Sequence, residues 1–292
     1  VQITNVNISN LRGIARLINH AAFKKLATDT NQSSYIRQLK KYSLWQNNPE
    51  ENLTLHDLIS HSYEVLVKNY RHEYIYKSKL LNDFILKNYS LDDTIILDEF
   101  RVNDSIADIA LINGTNKIFE IKTELDSLER FESQISDYYK AFSEVYIVIH
   151  YSFFLKYVKQ IDDKIGIILY TEDSDLVEYR KAESEDKYLH VPSMMASLRK
   201  PEYLKLVKQL VGFIPNATPV FLYSECLKVL LEFTPKEVQI ACHKILKQRI
   251  SFGKNTHIIE GTFPNYLNYS YYNQNISKKS YLTLLNNLNK KI

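Results

Sequence analysis

At 292 residues, with 45% hydrophobic and 24% charged residues, the chain has the make-up of a soluble globular protein and excludes extended disorder. Its 37 basic and 34 acidic residues leave a net charge of +3, so overall charge neither announces nor excludes a nucleic-acid partner. No apolar run approaches the roughly 18 to 20 residues that span a bilayer, and the first ten residues lack a signal-like apolar core. The expected compartment is the cytoplasm, with no membrane partner. Because the numbering starts at Val1 rather than Met, an initiator or short leader is expected ahead of it. Cys226 and Cys242 form neither a C-x-x-C pair nor a zinc-finger spacing and read as two reduced core thiols.

In chain order, helical spacing (Leu11, Ile14, Ala15, Ile18, then Ile36, Leu39) predicts two helices between Ile8 and Leu44, with a polar break at Thr28 to Ser34. Gln46 to Asn52 reads as a loop. Thr54 is a candidate N-cap for a helical region that runs, with a break, to about Tyr89. The period then changes to short β-type runs at Thr94–Phe100, Ser105–Ile112, Lys117–Lys122, Val145–His150 and Ile165–Tyr170, with an edge strand at Val177–Tyr179. Helices are expected at Leu125–Phe142 and Ser152–Ile161 between them. Beyond an acidic loop at Glu183–Asp186 the chain is helical again, over Leu198–Val211, Val220–Phe233 and Pro235–Ile250. The last of these is announced by Thr234, Pro235 and Glu237 as N-cap, N1 proline and N3 acid. Thr256–Tyr272 shows no clear period, and Ser280–Leu288 reads as a final helix. The fold class expected is α/β, a central mixed sheet flanked by helices, with helical N- and C-terminal extensions: residues 1–62, a core at 63–185, and 186–292.

Three short words carry the chemistry: Ala107-Asp108-Ile109-Ala110, Phe119-Glu120-Ile121-Lys122, and Gln134-Ile135-Ser136-Asp137-Tyr138. Strand alternation puts Glu120 and Lys122 on one face and Phe119 and Ile121 on the other. Asn113-Gly114-Thr115 can form a three-residue hairpin loop. Pairing Ile112 with Asn116 then sets Asp108 opposite Glu120, whereas a two-residue turn would separate them. Two carboxylates at about 5 Å repel each other unless they share a divalent cation, and hard oxygen ligands suit Mg²⁺ or Mn²⁺. Lys122 can then position a water or neutralise phosphate charge, although a plain surface ion pair uses the same two residues. Arg130, Gln134 and Tyr138 fall at i, i+4 and i+8 and form one polar helix stripe suited to phosphate or base contacts, against a reading as ordinary wet helix surface. His56, His61 and His72 read as a wet helix face. The tyrosines Tyr266, Tyr269, Tyr271 and Tyr272 read as buried or interface aromatics ahead of base-stacking ones.

D, then E-x-K, then Q-x-x-x-Y resembles the exonuclease-type branch of the PD-(D/E)XK nuclease superfamily. The closer likeness is to a bacterial family of that superfamily, from Asp98-Glu99 through Asp126-Ser127-Leu128-Glu129-Arg130 and Gln134, over roughly Glu73 to Ile149. The resemblance implies a restriction-endonuclease-like core, Asp108 and Glu120 as metal ligands, and Lys122 as the catalytic lysine. It also implies a further acid from the first helix or strand, for which Glu99 and Glu73 are the candidates and Glu64 a weaker one. The function it implies is metal-dependent hydrolysis of DNA phosphodiesters, extending to bacterial defence against foreign DNA. The rivals are a non-catalytic nucleic-acid- or protein-binding regulatory module that keeps the fold, and an RNA-cutting toxin. The helical extensions would meet a protein partner or a second copy of the chain.

Overall fold

The computed structural model describes residues 7–45, 52–123, 126–127, 129–249, 258, 261, 263–274 and 277–292. It divides into two compact units, Val1–Lys87 with Asn255–Ile292, and Asn88–Lys254. The sequence suggested different limits, at 62/63 and 185/186. Residues 63–87 and the end of the chain fall in one unit, and the helices after residue 186 fall with the sheet.

The first unit is helical: α1 (Ile8–Leu17), α2 (His20–Leu26), α3 (Ser33–Ser43), α4 (Leu55–Asn69) and α5 (Glu73–Lys79), which continues through a π-helical turn at Leu80–Ile85 into α6 (Leu86–Asn88) at the border of the second unit. Three helices stand where two were expected before Leu44. The extra boundary is made by Asn19, whose side chain accepts from the Ala22 amide at 2.9 Å and so starts a new helix two residues after the first one ends. Thr54 caps α4 as expected, in a reciprocal capping box with Asp57.

The last two helices of the chain, Asn265–Asn273 and Lys278–Leu288, also belong to this unit. The former was read from sequence as aperiodic, and burial explains why. Tyr266, Leu267, Asn268, Tyr269, Ser270 and Tyr272 are all buried, which leaves no polar stripe to mark a helical period. The tyrosines are thus packing residues. Tyr74 donates to the Tyr266 carbonyl at 2.6 Å and Phe23 lies against both Tyr74 and Tyr266. The histidines do not form a wet face. His56 bonds the Tyr266 hydroxyl at 2.5 Å, His61 packs edge-on to Trp45, and His72 reaches the Ile18 carbonyl at 3.1 Å.

The second unit holds a six-stranded mixed sheet in sequential order, β1 (Ile95–Val102), β2 (Ser105–Ile112), β3 (Asn116–Lys122), β4 (Glu144–His150), β5 (Gly166–Tyr170) and β6 (Leu176–Arg180). β1, β2 and β3 are antiparallel neighbours, β3, β4 and β5 run parallel, and β6 returns antiparallel. The parallel steps need crossovers, supplied by α7 (Phe131–Tyr139) and by α8 (Phe154–Val158). After the sheet come α9 (Val191–Ala196), α10 (Lys200–Val211), α11 (Leu222–Leu230) and α12 (Pro235–Leu246), the last capped by Thr234 and Glu237 as its sequence announces. α9 escaped the sequence reading; at six residues it is too short to show a period. These helices, which form the expected C-terminal extension, share one apolar cluster with α7 and the strands. Cys226 and Cys242 are buried free thiols within it, and burial pushes the Cys242 thiol up to about 12. Among the described residues no helix is long and apolar enough to cross a membrane.

Gly166 opens β5 because Tyr146 lies flat against it: a Cβ there would sit 2.3 Å from the ring and 2.8 Å from the Ala182 amide nitrogen. The Tyr146 ring is in turn stacked on Phe119 at 5.3 Å, so it has no room to retreat. Gly166→Ala is expected to destabilise the protein by about 1–3 kcal/mol, read as a lower urea midpoint, with partial recovery when Tyr146→Leu is added. His243 on α12 supplies a pH test. Burial against Phe142 and the charges of Lys236 and Lys247 push its pKa down to about 3. The unfolded chain, titrating near about 6.5, takes up a proton that the folded one refuses, so stability falls as pH drops from about 6.5 to about 3. His243→Phe should flatten the dependence of the urea midpoint on pH across that window.

Candidate active site

The three-residue loop is present. Ile112 pairs with Asn116, and Gly114 takes φ 119°, a conformation that favours glycine. Continuing that register from the Ile109–Phe119 pair sets Asp108 opposite Glu120. The same count on the other side of β2 sets Glu99 opposite Asp108, between the Asp98–Ile109 and Phe100–Ala107 pairs. Three acids therefore occupy one row across β1, β2 and β3. Glu99 is exposed and has φ 50°, which takes it out of the ladder. The apolar positions of β1 record the change: Ile95 and Leu97 face the cluster shared with α7, then Phe100 and Val102 do, a step of three where alternation gives two.

β3 differs from the half-exposed strand that alternation suggests, because all seven of its residues are buried. Glu120 is 3% exposed and Lys122 8%. Two charges are thus buried at the end of the strand, which is stable only if their polar atoms are satisfied. They are. Lys122 Nζ donates to Glu120 Oε1 at 2.8 Å and to Gln134 Oε1 at 2.9 Å, and Gln134 Nε2 returns to Glu120 Oε1 at 2.8 Å. The Tyr138 hydroxyl lies 2.6 Å from Glu120 Oε2 and 3.0 Å from the Ile106 carbonyl oxygen. Its single proton goes to the nearer, charged acceptor. Burial, the Glu120 charge and the Asp108 charge raise the Tyr138 pKa, so the phenol stays a donor. Asp108 Oδ2 accepts from the Ile121 amide at 2.7 Å, which ties the acid of β2 to the strand that carries Glu120.

Gln134 and Tyr138 thus turn toward the acid and the lysine, one helical turn apart on α7. Arg130, the first member of the expected stripe, is the N-cap residue of α7 and is exposed. Glu73 lies in the other compact unit, where it pairs with Lys77 at 2.6 Å.

Asp137 is a contributor that the sequence did not single out. It accepts from Asn103 Nδ2 at 2.9 Å, Ser105 Oγ at 2.7 Å and Lys140 Nζ at 3.0 Å. Burial opposes its ionisation, but those hydrogen bonds and the Lys140 charge prevail and hold its carboxyl below the usual range. The β1–β2 turn is thereby fastened to α7, the helix that carries Gln134 and Tyr138. Its only sequence signal is the Asn103-Asp104 turn dipeptide, which points to a turn and to no partner.

Asp108 and Glu120 could hold a divalent ion. Three donors occupy Glu120 where a carboxylate offers about four acceptor positions, and Mg²⁺ commonly takes one or two carboxylates and fills its shell with water and phosphate oxygens. That donor set fits Mg²⁺ or Mn²⁺. Among the described residues no group of three or more His, Cys, Asp or Glu side chains is placed to hold a metal, so Glu99 is in the row but not in a ligand cluster. Tyr138→Phe keeps the ring and deletes one donor to buried Glu120; it is expected to lower stability by about 1–3 kcal/mol in urea unfolding. A change within about 0.3 kcal/mol would show that water replaces the phenol.

The chain matches the family described as Bacteriophage P4 protein cII over residues 67–287, a stretch that includes every residue of the site. "Protein cII" of Enterobacteria phage P4 is 26% identical over 205 residues, covering 68% of this chain and 72% of its own length. No solved structure matches the chain. The match extends over well more than half of the sequence, and the chain belongs to the bacteriophage P4 protein cII family.

Proposed function

We propose that the chain is a divalent-metal-dependent nuclease of the PD-(D/E)XK type that hydrolyses phosphodiester bonds of DNA. One observation carries the reading: a buried Glu120–Lys122 pair stands opposite Asp108 and is held by Gln134 and Tyr138. A buried ion pair adds little to the stability of a fold, so the upkeep of this one by a dedicated helix is better explained by chemistry.

Asp108 and Glu120 would hold Mg²⁺ or Mn²⁺, which would polarise a phosphoryl oxygen and lower the pKa of a bound water. Lys122 keeps its ammonium beside the two acids, where it can orient the attacking water or offset charge that develops on the phosphate. Gln134 orients both members of the pair, accepting a hydrogen bond from Lys122 while donating one to Glu120. Tyr138 holds Glu120 in place through its hydroxyl. Arg130, exposed at the start of α7, is free to meet a phosphate.

A second reading, a DNA-binding module that retains the fold without cutting, is favoured by the three donors already on Glu120 and by the lack of a third clustered acid among the described residues. Cleavage separates the two. Wild-type protein with Mn²⁺ should nick or degrade DNA, EDTA should stop it, and Glu120→Gln or Lys122→Ala should lower the rate by at least about a hundredfold with the circular dichroism spectrum retained. DNA binding without cleavage in Mg²⁺ and in Mn²⁺ would leave the binding module as the reading that stands, and preference for RNA in parallel digests would reassign the substrate.

A further inference from the structure

The basic residues are unevenly placed. Residues 199–249 hold nine Lys and Arg against four Asp and Glu, whereas the whole chain has 37 against 34, so the remainder of the chain is slightly acidic. The acids of this segment are largely engaged. Glu202 takes Arg249 through both of its oxygens, Glu225 takes Lys228, and Glu237 is held in the cap of α12. Lys236 pairs with Asp186. Arg199 lies beside Glu202 at the start of α10, and five lysines remain: Lys200, Lys205 and Lys208 on α10, Lys244 on α12, and Lys247 in the turn that follows. None of them has a carboxylate within ion-pair distance among the described residues. Lys200, Lys205, Lys208 and Lys244 are exposed and Lys247 is half-buried.

The two helices that carry these lysines meet, and Lys205 and Lys208 are one turn apart on α10. Lys205 Nζ donates to Gln248 Oε1, which brings the outer face of α10 against the end of α12, and Gln248 lies one helical turn beyond Lys244. The surface also leads toward the acids. Arg249, next along the chain, lies over the Phe100 ring at 5.5 Å, and Phe100 directly follows Glu99 in the row that contains Asp108 and Glu120. α12 and α7 share one apolar cluster, so the basic surface and the helix holding Glu120 lie on the same side of the sheet.

We propose that this face of α10 and α12 seats the phosphate backbone of a DNA duplex whose scissile bond lies at the acid row. Five ammonium groups without acidic partners among the described residues have a self-repulsion that a polyanion relieves, with release of counterions as the driving term. A protein face would need matching carboxylates, while a duplex presents evenly spaced charges to flexible lysines without demanding a fixed geometry. The proposal rests on the nuclease reading for the place of the scissile bond, while the seating of the duplex rests on the lysines.

The test is fluorescence anisotropy of the full chain with a short labelled DNA duplex in EDTA, across a range of salt concentrations. The variant replaces Lys200, Lys205, Lys208, Lys244 and Lys247 by Gln together. A control replaces five lysines of the other unit, Lys24, Lys25, Lys41, Lys68 and Lys87, so that the loss of net charge is the same. The first variant should bind at least about tenfold more weakly, and its plot of log affinity against log salt should flatten by about 0.9 for each phosphate that is no longer neutralised, while the control should stay near wild type. An unchanged thermal midpoint shows that the effect is not unfolding. Equal losses in both variants, or none in either, would overturn the proposal. If wild type cuts DNA but the variant binds as wild type does, the docking face fails and the nuclease reading stands. If wild type cuts nothing but the variant alone loses binding, the docking face stands and the nuclease reading fails.

Discussion

A negative charge buried in β3 is the constraint around which the sheet unit is arranged. Glu120 is 3% exposed, and an unpaired carboxylate at that depth would cost several kcal/mol. The cost is offset by three donors from two elements: Lys122 two residues along the same strand, and Gln134 and Tyr138 from α7. That requirement fixes the rotation of α7 about its own axis. Asp137 on the same helix fixes it a second time by gripping Asn103 and Ser105 at the β1–β2 turn. The helix is therefore tied to both the strand that bears Glu120 and the hairpin that bears Asp108.

This arrangement also changes how the Q-x-x-x-Y word is understood. Spacing alone shows that Gln134 and Tyr138 share a face of a helix, and a shared polar face suggests a surface that meets a ligand. In the structure the two side chains form the support of Glu120 and Lys122, with Tyr138 fully buried. A support of this kind lets a strand keep a carboxylate and an ammonium side by side without water. Any ion that enters takes the acceptor position these donors leave on Glu120 or displaces one of them.

Much of the sheet unit could be read before the structure because the deciding signals are local. β2 starts and ends where alternation places it, and the three-residue loop at Asn113-Gly114-Thr115 follows from the parity that sets Asp108 opposite Glu120. The helix that starts at Pro235 is announced by its own cap. What escaped depends on tertiary packing. Asn265–Asn273 is buried nearly all round, so its helical period is masked by Tyr and Asn on every side. The bonds from Asn103 and Ser105 to Asp137 span more than thirty residues and have no sequence pattern. The compact units cross the expected limits for the same reason: α9 to α12 join the sheet through a shared apolar cluster, which no composition shift marks.

The chemistry proposed for this chain depends on a divalent-cation site formed by Asp108 and Glu120 at the end of β3. Anomalous diffraction from crystals soaked in Mn²⁺ tests it directly. Such a site predicts one strong peak within bonding distance of an oxygen of Asp108 and an oxygen of Glu120. Full Mn²⁺ exposure with no peak there, and with Glu120 still holding all three donors, would contradict it and leave the buried pair as a structural ion pair.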